Sequence, residues 1–86
     1  MKEIEKQLKA LANRRRLAIV MYLKKTKEAH VGNISEEIRL SYKSTSRHLG
    51  VLYSAGIVDK EQRSSEVFYR LSSPLRPTAK AVLGLV

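Results

Sequence analysis

Between Val31 and Ala55 the stretch VGNISEEIRLSYKSTSRHLGVLYSA holds two helical hydrophobic periods with almost nothing between them. Val31, Ile34 and Ile38 repeat at i, i+3 and i+7, and Thr45, Leu49 and Leu52 repeat at i, i+4 and i+7. With Ser41 as the cap of the second helix, only Arg39, Leu40 and Ser41 separate the two helices, and helices joined so tightly are the signature of a helix-turn-helix. Ser41 is a good N-cap for the second helix and Gly56 ends it after about Ala55, so 31–55 is expected to be that motif.

Two helices precede it. Ile4, Leu8 and Leu11 recur at i, i+4 and i+7, which makes 1–12 an amphipathic helix with Lys2, Glu3, Lys6 and Lys9 on its outer face. Asn13 can cap the next, in which Leu17, Val20 and Met21 form a stripe that Ile19 and Leu23 widen, so LAIVMYL reads as the central core helix. After Gly56 the period changes from helical to alternating. Val58 leads into DKEQR, Ser64-Ser65 makes a turn, and EVFYRL returns with Val67, Tyr69 and Leu71 on one face: a hairpin over 57–71. Ser72-Ser73-Pro74 is a linker, and Pro77 suits the first turn of a last helix that is apolar nearly all round and therefore needs a partner.

The order is helix, helix, helix-turn-helix, hairpin, helix. The expected fold is mainly α (α+β), a winged helix-turn-helix with a two-stranded β wing and a C-terminal dimerisation helix. At 86 residues it forms one domain over 1–86, because two would each be too small to bury a core. The segments 1–12 and 77–86 are expected to dimerise through Ile4, Leu8, Leu11, Val82, Leu83 and Leu85.

Charge narrows the partner. Lys and Arg number 17 against 8 Asp and Glu, a net +9, which points to a polyanion or an anionic membrane surface. The positive residues are spread over several elements rather than along one amphipathic helix, which disfavours the membrane. No apolar run approaches the ~18 residues of a membrane span, and MKEIEKQLK is too charged for a secretory signal. The absence of cysteine excludes disulfides and thiolate metal sites and fits a cytoplasmic setting. Enzyme chemistry finds no footing either. Ser46 and His48 are two apart on a helix and do not face each other, Glu36 and Glu37 diverge, and no glycine-rich phosphate loop occurs. No catalytic residue, metal ligand or cofactor is expected, and no residue pattern names a small-molecule effector.

The second helix of a helix-turn-helix enters the major groove with its N-terminal residues at the base edges. Tyr42, Lys43, Ser46 and Arg47 occupy the first two turns, away from the Thr45/Leu49/Leu52 stripe. Arg47 can contact guanine with two hydrogen bonds, Lys43 can reach guanine or phosphate, Ser46 can donate or accept, and Tyr42 can meet phosphate or a thymine methyl. Ser41 and Ser44 suit a backbone phosphate at the helix N-terminus. Lys60, Arg63 and Ser64 place further donors on the wing, although Asp59, Glu61 and Glu66 dilute the field there.

The residues also resemble the ArsR/SmtB family of bacterial and archaeal repressors. LKALANRRRLAIVMYL is similar to the family's L-x-A-L-A-[D/N]-x-x-R-L-x-I-L-x-x-L, LSYKSTSRHLGVLYSAGIV to its L-S-Q-S-T-V-S-R-H-L-x-x-L-x-x-A-G-L-V, and VFYRL to its second wing strand, all in register from about Leu8 to Leu71. The resemblance implies a homodimeric regulator, a repressor by family habit, that binds double-stranded DNA. It also implies that Arg16 is a structural arginine tied to backbone or to an acid, and that His48 is a hydrogen-bonded residue orienting the recognition helix. His30 is placed to cap the third helix or to sense pH, and capping is the expectation.

Three departures limit what carries over. Soft-metal sensors of the family have E-L-C-V-C where this chain has EAHVG, and the last helix supplies neither Asp nor His, so metal sensing is not implied. Arg39 replaces the usual glycine between the helices and must accept a left-handed backbone or reshape the turn. Ser64 stands where the wing tip usually has glycine. Two other functions fit the same charge: a nonspecific or architectural DNA-binding protein, and a winged helix serving protein or RNA interaction.

Overall fold

The computed structural model describes residues Met1–Leu85. Five helices and one small antiparallel sheet form it. The helices are α1 (Lys2–Leu11), α2 (Arg14–Thr26), α3 (Val31–Ile38), α4 (Tyr42–Ser54) and α5 (Pro77–Leu83). The strands are β1 (Ala29–His30), β2 (Val58–Arg63) and β3 (Glu66–Leu71). The fold is a winged helix-turn-helix.

Caps set most of the boundaries. The Asn13 side chain accepts from the Arg16 N–H to start α2, His30 Nδ1 from Asn33 N–H to start α3, and Ser41 Oγ from Ser44 N–H to start α4. Each satisfies a first-turn donor that would otherwise have no partner. Arg39 ends α3 in the left-handed region at φ 55°, ψ 52°, so the turn keeps the glycine-type geometry with an arginine in it. Gly56 ends α4 at φ 77°, where a side chain would be strained and would press on the Arg76 guanidinium.

The core is where the two helical periods meet. Ile19, Val20 and Leu23 of α2, Ile34 of α3, Leu49 and Leu52 of α4, and Ile57 and Val58 beyond it are essentially sealed from solvent. Each such side chain contributes roughly 1.5–3 kcal/mol by leaving water. Together they fix α4 by its inner stripe and leave its opposite face outside.

The sheet departs from the expected two-stranded wing. β3 pairs with β2 from Val58↔Leu71 to Arg63↔Glu66, and its other edge pairs with β1 through Ala29↔Tyr69 and His30↔Phe68, giving the order β1-β3-β2. β1 is only two residues long, too short for any hydrophobic period to announce it. The wing is therefore tied along the middle of β3 to the segment entering the helix-turn-helix. At its tip the two-residue turn puts Ser64 at φ 56°, the positive region usually left to glycine.

The C-terminal helix is also shorter than the sequence suggests. Gly84 follows α5 as its cap, and Val86 lies outside the described residues. α5 packs on α1 within the same chain, which buries Leu83 and Leu11 to 5% and 3% exposure. Those two leucines belong to the chain's own core, a correction to the expected dimer surface. Ile4, Leu8 and Leu85 stay outside at 46, 48 and 84% exposure, and Val82 is half-buried.

Candidate nucleic-acid interface

The first two turns of α4 present Tyr42, Lys43 and Arg47 to solvent, with Ser41 exposed at the cap and Ser44 and Ser46 half-buried at the edges of the same face. Thr45, Leu49 and Leu52 face the other way and are buried, so the outward direction of the candidate residues follows from the anchoring of the stripe. Among the described residues, no carboxylate lies within 4 Å of Lys43 or Arg47. Their charge is turned outward on a rod of 13 residues.

Arg16 and His48 lock that rod in place. The Arg16 guanidinium donates to the carbonyls of Ala10 at 2.6 Å and Lys9 at 3.3 Å, closing the C-terminal end of α1. Its remaining nitrogen donates at 3.2 Å to His48 Nδ1 on α4. Because a guanidinium cannot accept, Nδ1 is the unprotonated nitrogen and the ring proton sits on Nε2. Burial, then the charges of Arg16, Arg15 and Arg47, hold His48 below the usual histidine pKa. Arg15 in turn donates to the Ile38 carbonyl at 3.2 Å and closes the end of α3. The basic cluster that opens α2 thus caps two other helices, which compensates for cations placed at the positive end of a helix dipole.

The wing handles its cations differently. Arg63, a candidate phosphate donor by sequence, forks onto both carboxylate oxygens of Glu28 at 2.9 and 2.7 Å and reaches Glu61 at 3.0 Å. It also lies 4.6 Å over the Phe68 ring. Arg70 approaches the same two carboxylates at 3.7 and 3.4 Å. The hydrogen bonds from Arg63 hold Glu28 and Glu61 below the usual carboxylate range. Arg63 is therefore spent inside the chain and is not displayed alongside Lys43 and Arg47. Lys60 has no carboxylate partner among the described residues but rests 4.4 Å over the ring of Tyr53, at the far end of α4. Ser64 is exposed at the tip.

Sequence reasoning missed the partners that decide this. Glu28 is 35 residues from Arg63 in the chain and carries no local signal. His30 was expected to cap α3 and does so, but its Nε2 also meets Glu66 at 3.3 Å and its ring packs edge-on against Phe68, pinning the tip half of the wing. A cleft of about 890 Å³ between α1, the end of α4 and the linker before α5 brings both signs together, Lys6 and Arg76 with Glu3 and Asp59. No described helix is long and apolar enough to cross a membrane.

The family model for bacterial regulatory proteins of the arsR family matches residues 13–60, which span α2, the helix-turn-helix and the start of the wing. The chain belongs to the arsR family. It is 42% identical over 66 residues to the transcriptional activator HlyU of Vibrio cholerae, covering 77% of this chain and 60% of that one. It is 36% identical over 70 residues to the biofilm growth-associated repressor of Agrobacterium fabrum, covering 81% and 59%. The chain thus spans about three fifths of the length of these curated relatives. Among solved structures, HlyU from Vibrio cholerae superposes with a TM-score of 0.83 at 34% identity, over 98% of this chain and 87% of that one. The homodimeric winged helix-turn-helix DNA-binding domain of Mb0332 from Mycobacterium bovis superposes with a TM-score of 0.85 at 27% identity, over 98% and 79%.

Proposed function

We propose that the chain is a sequence-specific regulator of transcription that binds double-stranded DNA as a homodimer and acts as a repressor. One observation carries this reading: Tyr42, Lys43 and Arg47 project from the exposed N-terminal turns of α4 while the opposite face is locked in the core. The names of the relatives agree with it, an activator and a repressor of the same family and a homodimeric DNA-binding domain. Arg47 and Lys43 read base edges, Tyr42 and Ser46 support them, and Ser41 and Ser44 hold backbone phosphate at the capped helix end. Lys60 and Ser64 make the wing's contribution, with Arg63 contributing only after release from Glu28.

The exposed Ile4, Leu8 and Leu85, with Val82 beside them, form the surface assigned to the second copy. Two recognition helices then meet half-sites about 34 Å apart, or a multiple of that. Selecting bound fragments from random duplex DNA and titrating the best against salt tests the reading. A regulator keeps a preference of ~10³ or more over random duplex at matched salt, whereas an architectural protein weakens steeply and equally on all sequences. Leu8→Glu should sediment as a monomer, and a dimer that survives the charge removes α1 from the interface.

A further inference from the structure

Along its other flank, α4 faces α1 across a groove of about 420 Å³ that no side chain of the described residues fills. Its floor is apolar. Ala10, Gly50 and Val51 line it, Val51 is 38% exposed, and a methyl carbon built on Gly50 would meet no atom within 4 Å beyond its chain neighbours and its own helix backbone. Its rim is cationic: Lys6 and Lys9 from α1, Arg16 from the start of α2, and Arg47 from α4. No Asp or Glu lines the groove, and among the described residues none of these four cations has a carboxylate within 4 Å. Arg16 is held rigid by its bonds to Lys9, Ala10 and His48, so the rim is partly preorganised.

Four like charges around wet apolar surface are two separate costs, and one kind of ligand relieves both. An inorganic anion would neutralise the rim and leave the floor in water. A neutral hydrocarbon would cover the floor and leave the rim uncompensated. A second copy of a chain that carries +9 brings further positive charge. The volume lies toward the small end of the range for organic ligands, enough for one medium-sized molecule.

We propose that the α1–α4 groove binds a small amphiphilic organic anion, with a carboxylate head on the cationic rim and an alkyl body over Ala10, Gly50 and Val51. Arg47 belongs both to this rim and to the DNA-facing turns of α4, so the bound anion draws it away from DNA. That second step rests on the DNA-binding reading, whereas the binding itself does not.

The test is calorimetric titration of the full chain, without DNA, with octanoate as probe and octanol and inorganic phosphate as comparisons. Octanoate should bind at least ~10-fold more tightly than either, and more weakly as salt rises. Gly50→Leu fills the floor at an open helical position. It should leave the circular dichroism spectrum unchanged and weaken octanoate at least ~10-fold, with Lys9→Gln weakening it several-fold. Octanol binding as tightly as octanoate, or octanoate indifferent to Gly50→Leu, overturns the proposal. A sedimentation shift from dimer to monomer in Gly50→Leu also overturns it, since the groove is then an interface between copies. Octanoate should further release the wild-type chain, but not Gly50→Leu, from its selected duplex. A chain that binds octanoate and no duplex refutes the DNA reading and leaves the groove site standing; one that binds duplex and no octanoate does the reverse.

Discussion

The recognition helix and the wing are neighbours that carry the same kind of charge and use it in opposite ways. On α4, Lys43 and Arg47 have no carboxylate within 4 Å among the described residues; on the wing, Arg63 and Arg70 lie 2.7 to 3.7 Å from Glu28 and Glu61. The anchoring differs in the same sense. α4 is held by a half-buried arginine that donates to helix-end carbonyls and a histidine, the wing by exposed ion pairs. A count of +9 treats all these cations alike, but the field outside the molecule depends on which are already paired. Lys43 and Arg47 on α4, and Lys6 and Lys9 along its groove with α1, are among those left without a carboxylate within 4 Å among the described residues.

The largest expected effect tests the anchoring. Arg16→Ala removes donors from Ala10, Lys9 and His48 in a part-buried setting and should cost roughly 1.5–3 kcal/mol, the range for hydrogen bonds made by a charged group. Arg63→Ala, although it breaks a forked ion pair, should cost much less because the pair is exposed and screened by solvent. Urea unfolding of the two variants measures the contrast, and equal losses would erase it. On DNA the α4 side should again lose more than the wing. Arg47→Ala should weaken the selected duplex by about 1–3 kcal/mol, the scale of one two-bond base contact, with reduced discrimination at one base pair. Arg63→Ala should stay within ~3-fold at matched salt, as expected for a charge already paired. Anisotropy titrations that show the wing variant losing as much as the helix variant would break the comparison outright.

Acid separates the two regions by pH window. His48 is held below its ordinary pKa, so the unfolded chain takes up that proton first. The associated stability is present above the unfolded value of ~6.5 and lost as pH falls through the folded one. Glu28 and Glu61 are also depressed, so their contribution is present above ~4.3 and lost as pH falls through their folded values. Stability should therefore decline in an upper step belonging to the α4 anchor and a lower one belonging to the wing. His48→Gln, which can still accept from Arg16, should remove the upper step alone. A single step near the carboxylate range in the wild-type chain would show that His48 contributes nothing.

The same contrast explains what the sequence disclosed. Asn13, His30 and Ser41 cap helices through bonds three residues away, and the Thr45/Leu49/Leu52 stripe depends on a short period, so local patterning carried both. Arg39 was recognisable as a strained turn for the same reason. The wing's chemistry is non-local. β1 exists because Ala29 and His30 meet Tyr69 and Phe68, and Arg63 is neutralised by a residue 35 positions earlier. Leu11 and Leu83 misled for a related reason: both are apolar at helical spacing, and only the packing of α5 on α1 decides that they face each other's core and not a second chain.

The smallest predicted effect is the most diagnostic of the difference. Glu28→Gln keeps the shape of the side chain and removes the charge that engages both nitrogens of the Arg63 fork. Glu61 still holds Arg63 at 3.0 Å, so the guanidinium is only half released. If pairing is what silences the wing, the variant should bind duplex about 2–3-fold more tightly. Its affinity should also fall more steeply with salt, by up to about one unit in the log–log slope, the increment for one added phosphate contact. Folding stability should hardly move, since the pair is exposed and screened by solvent. Glu28→Gln combined with Arg63→Ala should return both affinity and slope to the Arg63→Ala values, because the gain has to pass through that one side chain. An unchanged slope in Glu28→Gln would mean that the wing stays away from phosphate even with its arginine loosened, and that α4 alone faces the duplex.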